Sequence, residues 1–160
     1  MSPSQQMDIM RLGLRGVVLE FAKELAKAHP DVVFTSGLRM RADQARAMAQ
    51  NIAVAGHDWV TQTYRPSVAR TEVIKFLAAN DTLKTVDAIA IGLDDVFEHM
   101  TNDEMSKLSK HMSGDAVDIQ PVEGISGEIL RRAIVSLAAK HGLRFLQREG
   151  GLKKWHLQTR

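Results

Sequence analysis

Three side chains that could bind a divalent metal ion lie in the last third of the sequence: His111, Asp118 and His156. Two imidazoles and one carboxylate suit a catalytic zinc site, where three protein ligands leave the fourth position open for water. Gly114 allows a turn between His111 and Asp118, and the alternation in Ala116-Val117-Asp118 predicts a strand with the carboxylate on its polar face. The spacing alone also fits a surface His–Asp pair, and the donors approach the ligand set of non-haem iron enzymes.

The neighbouring residues make the pattern more specific. A Ser-x-His-x-x-Gly-x-Ala-x-Asp motif spans residues 109–118, and a Trp-His pair ends at His156. This pattern resembles the zinc D-alanyl-D-alanine carboxypeptidase family. That family includes D-Ala-D-Ala dipeptidases and phage L-alanyl-D-glutamate endopeptidases, and it shares a fold with the hedgehog signalling domain.

An upstream block strengthens the resemblance. Ser36-Gly37-Leu38-Arg39, followed by Gln44, is similar to a Ser-Gly-x-Arg block of the family. The matching blocks cover about residues 32–51 and 106–158, in the family's order. Residues 56–100 form an insertion without a family signature, expected to be helical.

The resemblance implies a role for each matched residue. His111, Asp118 and His156 would be the zinc ligands. Arg39 would polarise the scissile carbonyl and stabilise the oxyanion, a role that suits a permanently charged guanidinium with several donors. Ser109 would support the site or bind a substrate carboxylate.

One position departs from the family pattern. The family usually carries an acid three residues before the last histidine, and this acid moves the proton from water to the leaving amine. Lys153 occupies that position here. Glu149 is therefore the candidate acid–base residue, although a tight hairpin could leave it idle at the tip. Other possible donors come from the insertion: Asp94, Asp95, Glu98 and His99.

These observations favour a zinc-dependent peptidase that hydrolyses peptidoglycan stem peptides, with Zn²⁺ as its cofactor. The bond would be L-alanyl-D-glutamate or of the D-Ala-D-Ala type. The resemblance suggests a phage or prophage endolysin, monomeric, made in the cytoplasm and acting on the periplasmic cell wall after release. The alternative is a catalytically inactive, zinc-containing binding or structural domain on the same scaffold, because Lys153 replaces the usual acid.

The composition excludes several other classes. The chain has 160 residues and no cysteine, which excludes disulfides, thiol catalysis and cysteine-ligated metal sites. With 21 Lys and Arg against 19 Asp and Glu, the charge is balanced, so nucleic-acid binding is not expected. Stable membrane association is not expected either, because no apolar run approaches the roughly 20 residues of a membrane span. The polar start of the chain predicts no secretory signal.

Periodicity and breaker residues predict a single α+β domain over residues 1–160, with a small antiparallel sheet flanked by helices. The resemblance makes this fold hedgehog/DD-peptidase-like. Helices are predicted at 5–29, 41–55, 67–80 and, with Ser126 as N-cap, 126–141. Strands are predicted at 31–35, 116–120, 143–147 and 154–158. Residues 85–91 fit a strand or a helix, and 94–110 are expected to be a short helix plus a loop.

Overall fold

The structure is a computed structural model that describes residues 2–160. These residues form eight α-helices and one four-stranded antiparallel sheet, which confirms the α+β prediction. The helices are α1 Pro3–Arg11, α2 Gly16–Ala28, α3 Arg41–Ala55, α4 Trp59–Thr63, α5 Val68–Ala79, α6 Val86–Glu98, α7 Asn102–Leu108 and α8 Gly124–Lys140. The strands are β1 Phe34–Ser36, β2 Ala116–Ile119, β3 Leu143–Glu149 and β4 Leu152–Thr159. Within residues 2–160, none of the helices has the length and hydropathy needed to cross a bilayer.

The chain divides into two compact units. The first contains the residues up to Leu38 together with Ser113–Arg160, and it holds the whole sheet, in the order β1-β2-β4-β3. Alternate residues of the central strands, such as Val117 and Leu157, join a buried core with α2 and α8. Burial of this apolar surface is the main force that holds the helices on the sheet.

The second unit, Arg39–Met112, is built from α3 to α7. Its core is separate and contains fully buried large side chains such as Met48, Trp59, Leu93 and Phe97. The insertion expected at 56–100 lies inside this unit. Its helical character is confirmed, because α4, α5 and α6 account for most of it.

The predicted helix 5–29 is wrong as a single element. It is two helices, α1 and α2. Gly13, which lies between them, and Gly16, the first residue of α2, have φ values of 60° and 53°. This left-handed conformation is incompatible with a continuous right-handed helix, and glycine adopts it without a Cβ clash. The apolar periodicity continues across the break, so the pattern alone did not reveal it.

Other boundaries also differ from the predictions. The last helix begins at Gly124 with Glu123 as N-cap, so the prediction of Ser126 at that cap is wrong. The ambiguous segment 85–91 is helical, and the helix continues through residues 94–98, which were expected to start a new element. The short helix α4 was not predicted, since five residues are too few for a periodic pattern.

Candidate metal centre

Strand pairing brings Asp118 and His156 together. Asp118 lies on β2, His156 lies on β4, and the antiparallel register places the two residues directly opposite each other. Directly paired residues project from the same face of a sheet, with Cβ atoms about 5 Å apart. The side chains meet accordingly, with His156 Nδ1 2.7 Å from Asp118 Oδ1. The imidazole is buried, with only 4% of the residue exposed.

His111 lies on a short 3₁₀ turn, Lys110–Ser113, and is 2% exposed. Its backbone N–H donates to the hydroxyl oxygen of Ser109 at 3.3 Å. Its carbonyl accepts a hydrogen bond from the backbone N–H of Arg39 at 3.0 Å. The motif serine therefore stabilises the turn that carries the histidine, and the upstream Ser-Gly-x-Arg block ends beside that turn.

His111, Asp118 and His156 form a group that could hold a metal ion. Each residue offers one ligand atom, and these atoms all lie within 4.8 Å of one another. Neutral imidazoles and a carboxylate are ligands that zinc accepts, and three ligands leave a position open. The donor chemistry of the group therefore fits the zinc expected from the motif.

Gly114 makes the turn between His111 and Asp118 possible. Its φ is +75°, and a Cβ at this position would lie 2.6 Å from the carbonyl oxygen of Gly13. The same loop is held by Arg15, whose backbone N–H donates to the Gly114 carbonyl at 3.1 Å and whose Nε donates to the Asp115 carboxylate at 2.9 Å. The glycine of the motif is thus required by backbone conformation and by close packing.

A Gly114→Ala substitution is expected to destabilise the protein more than Gly142→Ala does. Both glycines have positive φ, which costs an L residue about 1–2 kcal/mol, but Gly142 has no atom within 4 Å of the added Cβ. The contact with Gly13 should cost a further ~1 kcal/mol or more. Urea unfolding of both variants would measure the difference. Equal losses in the free energy of unfolding would mean that the loop relaxes around the methyl group.

Arg39 belongs to a hydrogen-bonded chain in the second unit. Its guanidinium Nη1 donates to Gln44 Oε1 at 3.3 Å, and Gln44 Nε2 donates to the Tyr64 hydroxyl oxygen, also at 3.3 Å. Gln44 is fully buried. Because arginine only donates, the Gln44 amide must turn its oxygen toward Arg39 and its nitrogen toward Tyr64. The sequence contained no signal for Tyr64, which lies in the insertion.

Glu149 and Lys153 lie near the turn between β3 and β4. The Glu149 side chain is 22% exposed and its Oε2 lies 3.9 Å from Lys154 Nζ. Burial lowers the pKa of His156, the hydrogen bond and charge of Asp118 raise it, and the negative charge of Glu149 raises it further. Lys153 instead forms an ion pair with Glu123. The charge of Glu149 therefore reaches His156, whereas the lysine at the usual acidic position is paired with Glu123.

The three acids of the insertion that were considered as donors, Asp94, Asp95 and Glu98, lie on α6, with His99 at its C-cap. His99 Nδ1 forms a hydrogen bond with the Asp95 carbonyl at 2.8 Å. In the part of the chain that the structure describes, the group that could hold a metal ion contains none of Asp94, Asp95, Glu98 and His99.

Several effects set the pKa of His156. Burial lowers it, but the hydrogen bond to Asp118, the charge of Asp118, the charge of Glu149 and the hydrogen bond to Gln158 together outweigh burial, so the pKa is raised. A histidine with a raised pKa stabilises the folded state when it is protonated. This contribution is complete below the unfolded pKa of about 6.5 and is lost as the pH rises through the folded pKa.

We therefore expect the metal-free protein to lose stability, relative to an Asp118→Asn variant, as the pH rises above about 6.5. The variant keeps the side-chain shape but removes the charge that holds the proton on His156. Urea unfolding of both metal-free proteins between about pH 6 and pH 9 would measure the difference. If the wild-type protein instead gained stability relative to the variant as the pH rises, His156 would not be the protonated partner of Asp118.

Comparisons of the chain with protein-family models, with curated proteins and with solved structures gave no match in any of the three. The functional argument therefore depends on the residues and on their geometry.

Proposed function

We propose that the protein is a zinc-dependent peptidase that hydrolyses peptidoglycan stem peptides, with a hedgehog/DD-peptidase-like fold and an endolysin-like role. The observation that carries the proposal is the grouping of His111, Asp118 and His156, with ligand atoms within 4.8 Å of one another. The spacing of these residues and the Ser-Gly-x-Arg block resemble the peptidase family.

Each residue that matches the family pattern would have a defined task in the proposed hydrolysis of a peptide bond. Two histidines and one aspartate would hold the zinc, which supplies an activated water molecule and polarises a peptide carbonyl when it is bound. Arg39 would donate to the carbonyl oxygen as negative charge develops there, and the Gln44–Tyr64 chain would keep its guanidinium oriented. Glu149 would accept a proton from the attacking water and pass it to the leaving amine.

Mass spectrometry of soluble products would test the proposal directly. The zinc-loaded protein is incubated with purified Gram-negative peptidoglycan, beside a chelator-treated sample of the same preparation. Zinc-dependent fragments with a new amino terminus at D-Glu would establish the endopeptidase. Loss of terminal D-Ala would assign a carboxypeptidase. A folded protein containing one zinc that yields no product, from this substrate or from D-Ala-D-Ala, would refute hydrolysis.

The alternative is an inactive zinc-containing binding or structural domain. It is favoured by Lys153, which stands at the usual acidic position and forms an ion pair with Glu123. If the wild-type protein is inactive and a Lys153→Glu variant hydrolyses the same peptidoglycan, the scaffold has lost its acid. Activity of the wild-type protein that Glu149→Gln removes would support the peptidase instead.

A further inference from the structure

The ring of His156 makes a second hydrogen bond, on the side opposite Asp118. Its Nε2 lies 3.0 Å from Oε1 of Gln158, two residues further along β4. Residues two apart on a strand share a face, so the strand itself brings Gln158 beside the imidazole. The sequence motif does not include Gln158.

The two contacts of the imidazole have different consequences for metal binding. A neutral ring carries one proton, and the nitrogen without it supplies the lone pair that binds a metal. The Nδ1 atom lies beside Asp118, which belongs to the same metal-binding group, so Nδ1 is the nitrogen that faces the group. A proton on Nδ1 would bond to Asp118 and block the ligand atom.

The Gln158 amide oxygen favours the other tautomer. A carbonyl oxygen only accepts hydrogen bonds, so it stabilises the form with the proton on Nε2. That form leaves the Nδ1 lone pair directed toward the group. Hydrogen bonds of this kind, from the outer nitrogen of a metal-binding histidine, orient the ring and raise its basicity.

We propose that Gln158 is a positioning residue for the metal centre, which holds His156 in the tautomer that presents Nδ1 to the ion. The inference depends on the zinc centre of the proposed function but not on peptide hydrolysis. It assigns no catalytic step to Gln158, which acts only through His156.

Zinc affinity is the quantity to measure, by competition with a chromophoric chelator. Gln158→Leu removes the acceptor and should weaken zinc binding by about 10–100-fold. Gln158→Glu keeps an acceptor oxygen and should bind zinc at least as tightly as the wild type. Gln147→Leu is the matched control, because Gln147 is an exposed glutamine of the same sheet. This control should bind zinc as the wild type does.

A spectroscopic measurement separates positioning from a general structural effect. Long-range ¹H–¹⁵N correlation spectra of the zinc-loaded wild-type protein should show the proton of His156 on Nε2 and the metal on Nδ1. The inference is overturned if the metal is on Nε2, if Gln158→Leu binds zinc like the wild type, or if Gln147→Leu loses affinity equally. A wild-type protein that binds no zinc overturns it as well. If Gln158→Leu does not fold, the zinc affinity of Gln158→Glu and the position of the His156 proton in the wild-type spectrum still test the inference.

These outcomes are distinguishable from failure of the proposed function. Zinc affinity and the tautomer of His156 are measured without any peptide substrate. A protein that binds zinc in the expected way and cleaves no peptide would support the role of Gln158 and refute the peptidase.

Discussion

Replacing His156 with alanine is expected to weaken zinc binding by at least about 100-fold and to abolish the proposed zinc-dependent hydrolysis of peptidoglycan. Loss of a partner that only orients a ligand costs about 10–100-fold in metal affinity, so loss of a ligand itself should cost at least as much. The measurements are competition with a chromophoric chelator and the yield of soluble peptide fragments.

The chain offers a matched control in His141→Ala. His141 also contacts a carboxylate, with its Nε2 2.9 Å from Glu24 Oε2, and it lies in the same unit as His156. It does not belong to the metal-binding group among the described residues. The control should therefore keep both zinc and activity, whatever it does to stability. Zinc binding by His156→Ala at wild-type affinity would refute the assigned centre.

Because His156 is buried, the alanine variant also leaves a cavity and removes one partner of the Asp118 carboxylate, so it must first be shown to fold. Circular dichroism in the absence of metal would establish this. If it does not fold, Asp118→Asn provides the second variant. It preserves the volume of the side chain and should also weaken zinc binding strongly, because an amide is a poorer ligand than a carboxylate.

A Glu149→Gln variant is expected to lower kcat by about 10²- to 10⁴-fold while zinc affinity stays near the wild-type value. That range is the usual contribution of a positioned acid or base. The amide keeps the shape of the side chain but cannot carry the proton from water to the leaving amine. Steady-state hydrolysis of a defined stem peptide and the zinc titration should be measured on the same preparation.

Glu123→Gln is the control for this experiment. Glu123 is an acid of the same unit and its partner is Lys153, so the variant tests the effect of losing a carboxylate without touching the proposed acid. It should leave kcat unchanged. Full activity in Glu149→Gln would remove Glu149 from the mechanism. Loss of zinc from that variant would mean that the carboxylate stabilises the metal centre and not the reaction.

The residues of the candidate metal centre could be named from the sequence because their chemistry is carried by residue type. Few side chains bind zinc, the chain has no cysteine, and the resemblance of the motif at residues 109–118 to the peptidase family implies His111 and Asp118 as ligands. Gly114 could be expected at the turn for a similar reason, since glycine adopts positive φ without a Cβ clash. The structure groups the possible ligand atoms of His111, Asp118 and His156, and Gly114 has a φ of +75°.

Other features were beyond the sequence because they depend on contacts between distant residues. The carboxylate of Asp118 meets His156 only because β2 pairs with β4, across 38 residues of chain. The alternation of polar and apolar residues shows which residues share a face of a strand. It does not show which strand pairs with it, because any strand offers the same backbone hydrogen-bonding groups. The role of Tyr64 is of the same kind, since it meets Gln44 across 20 residues.

The sequence by itself therefore determined the candidate ligand types, the α+β class and the helices α3, α5 and α8, all of which follow from local residue chemistry and periodicity. The tertiary structure decided the strand order β1-β2-β4-β3, the break between α1 and α2, and the contacts of Glu149, Lys153 and Gln158. The physical reason is that these features are set by packing and by long-range pairing, whose free energy depends on which surfaces meet once the chain is compact.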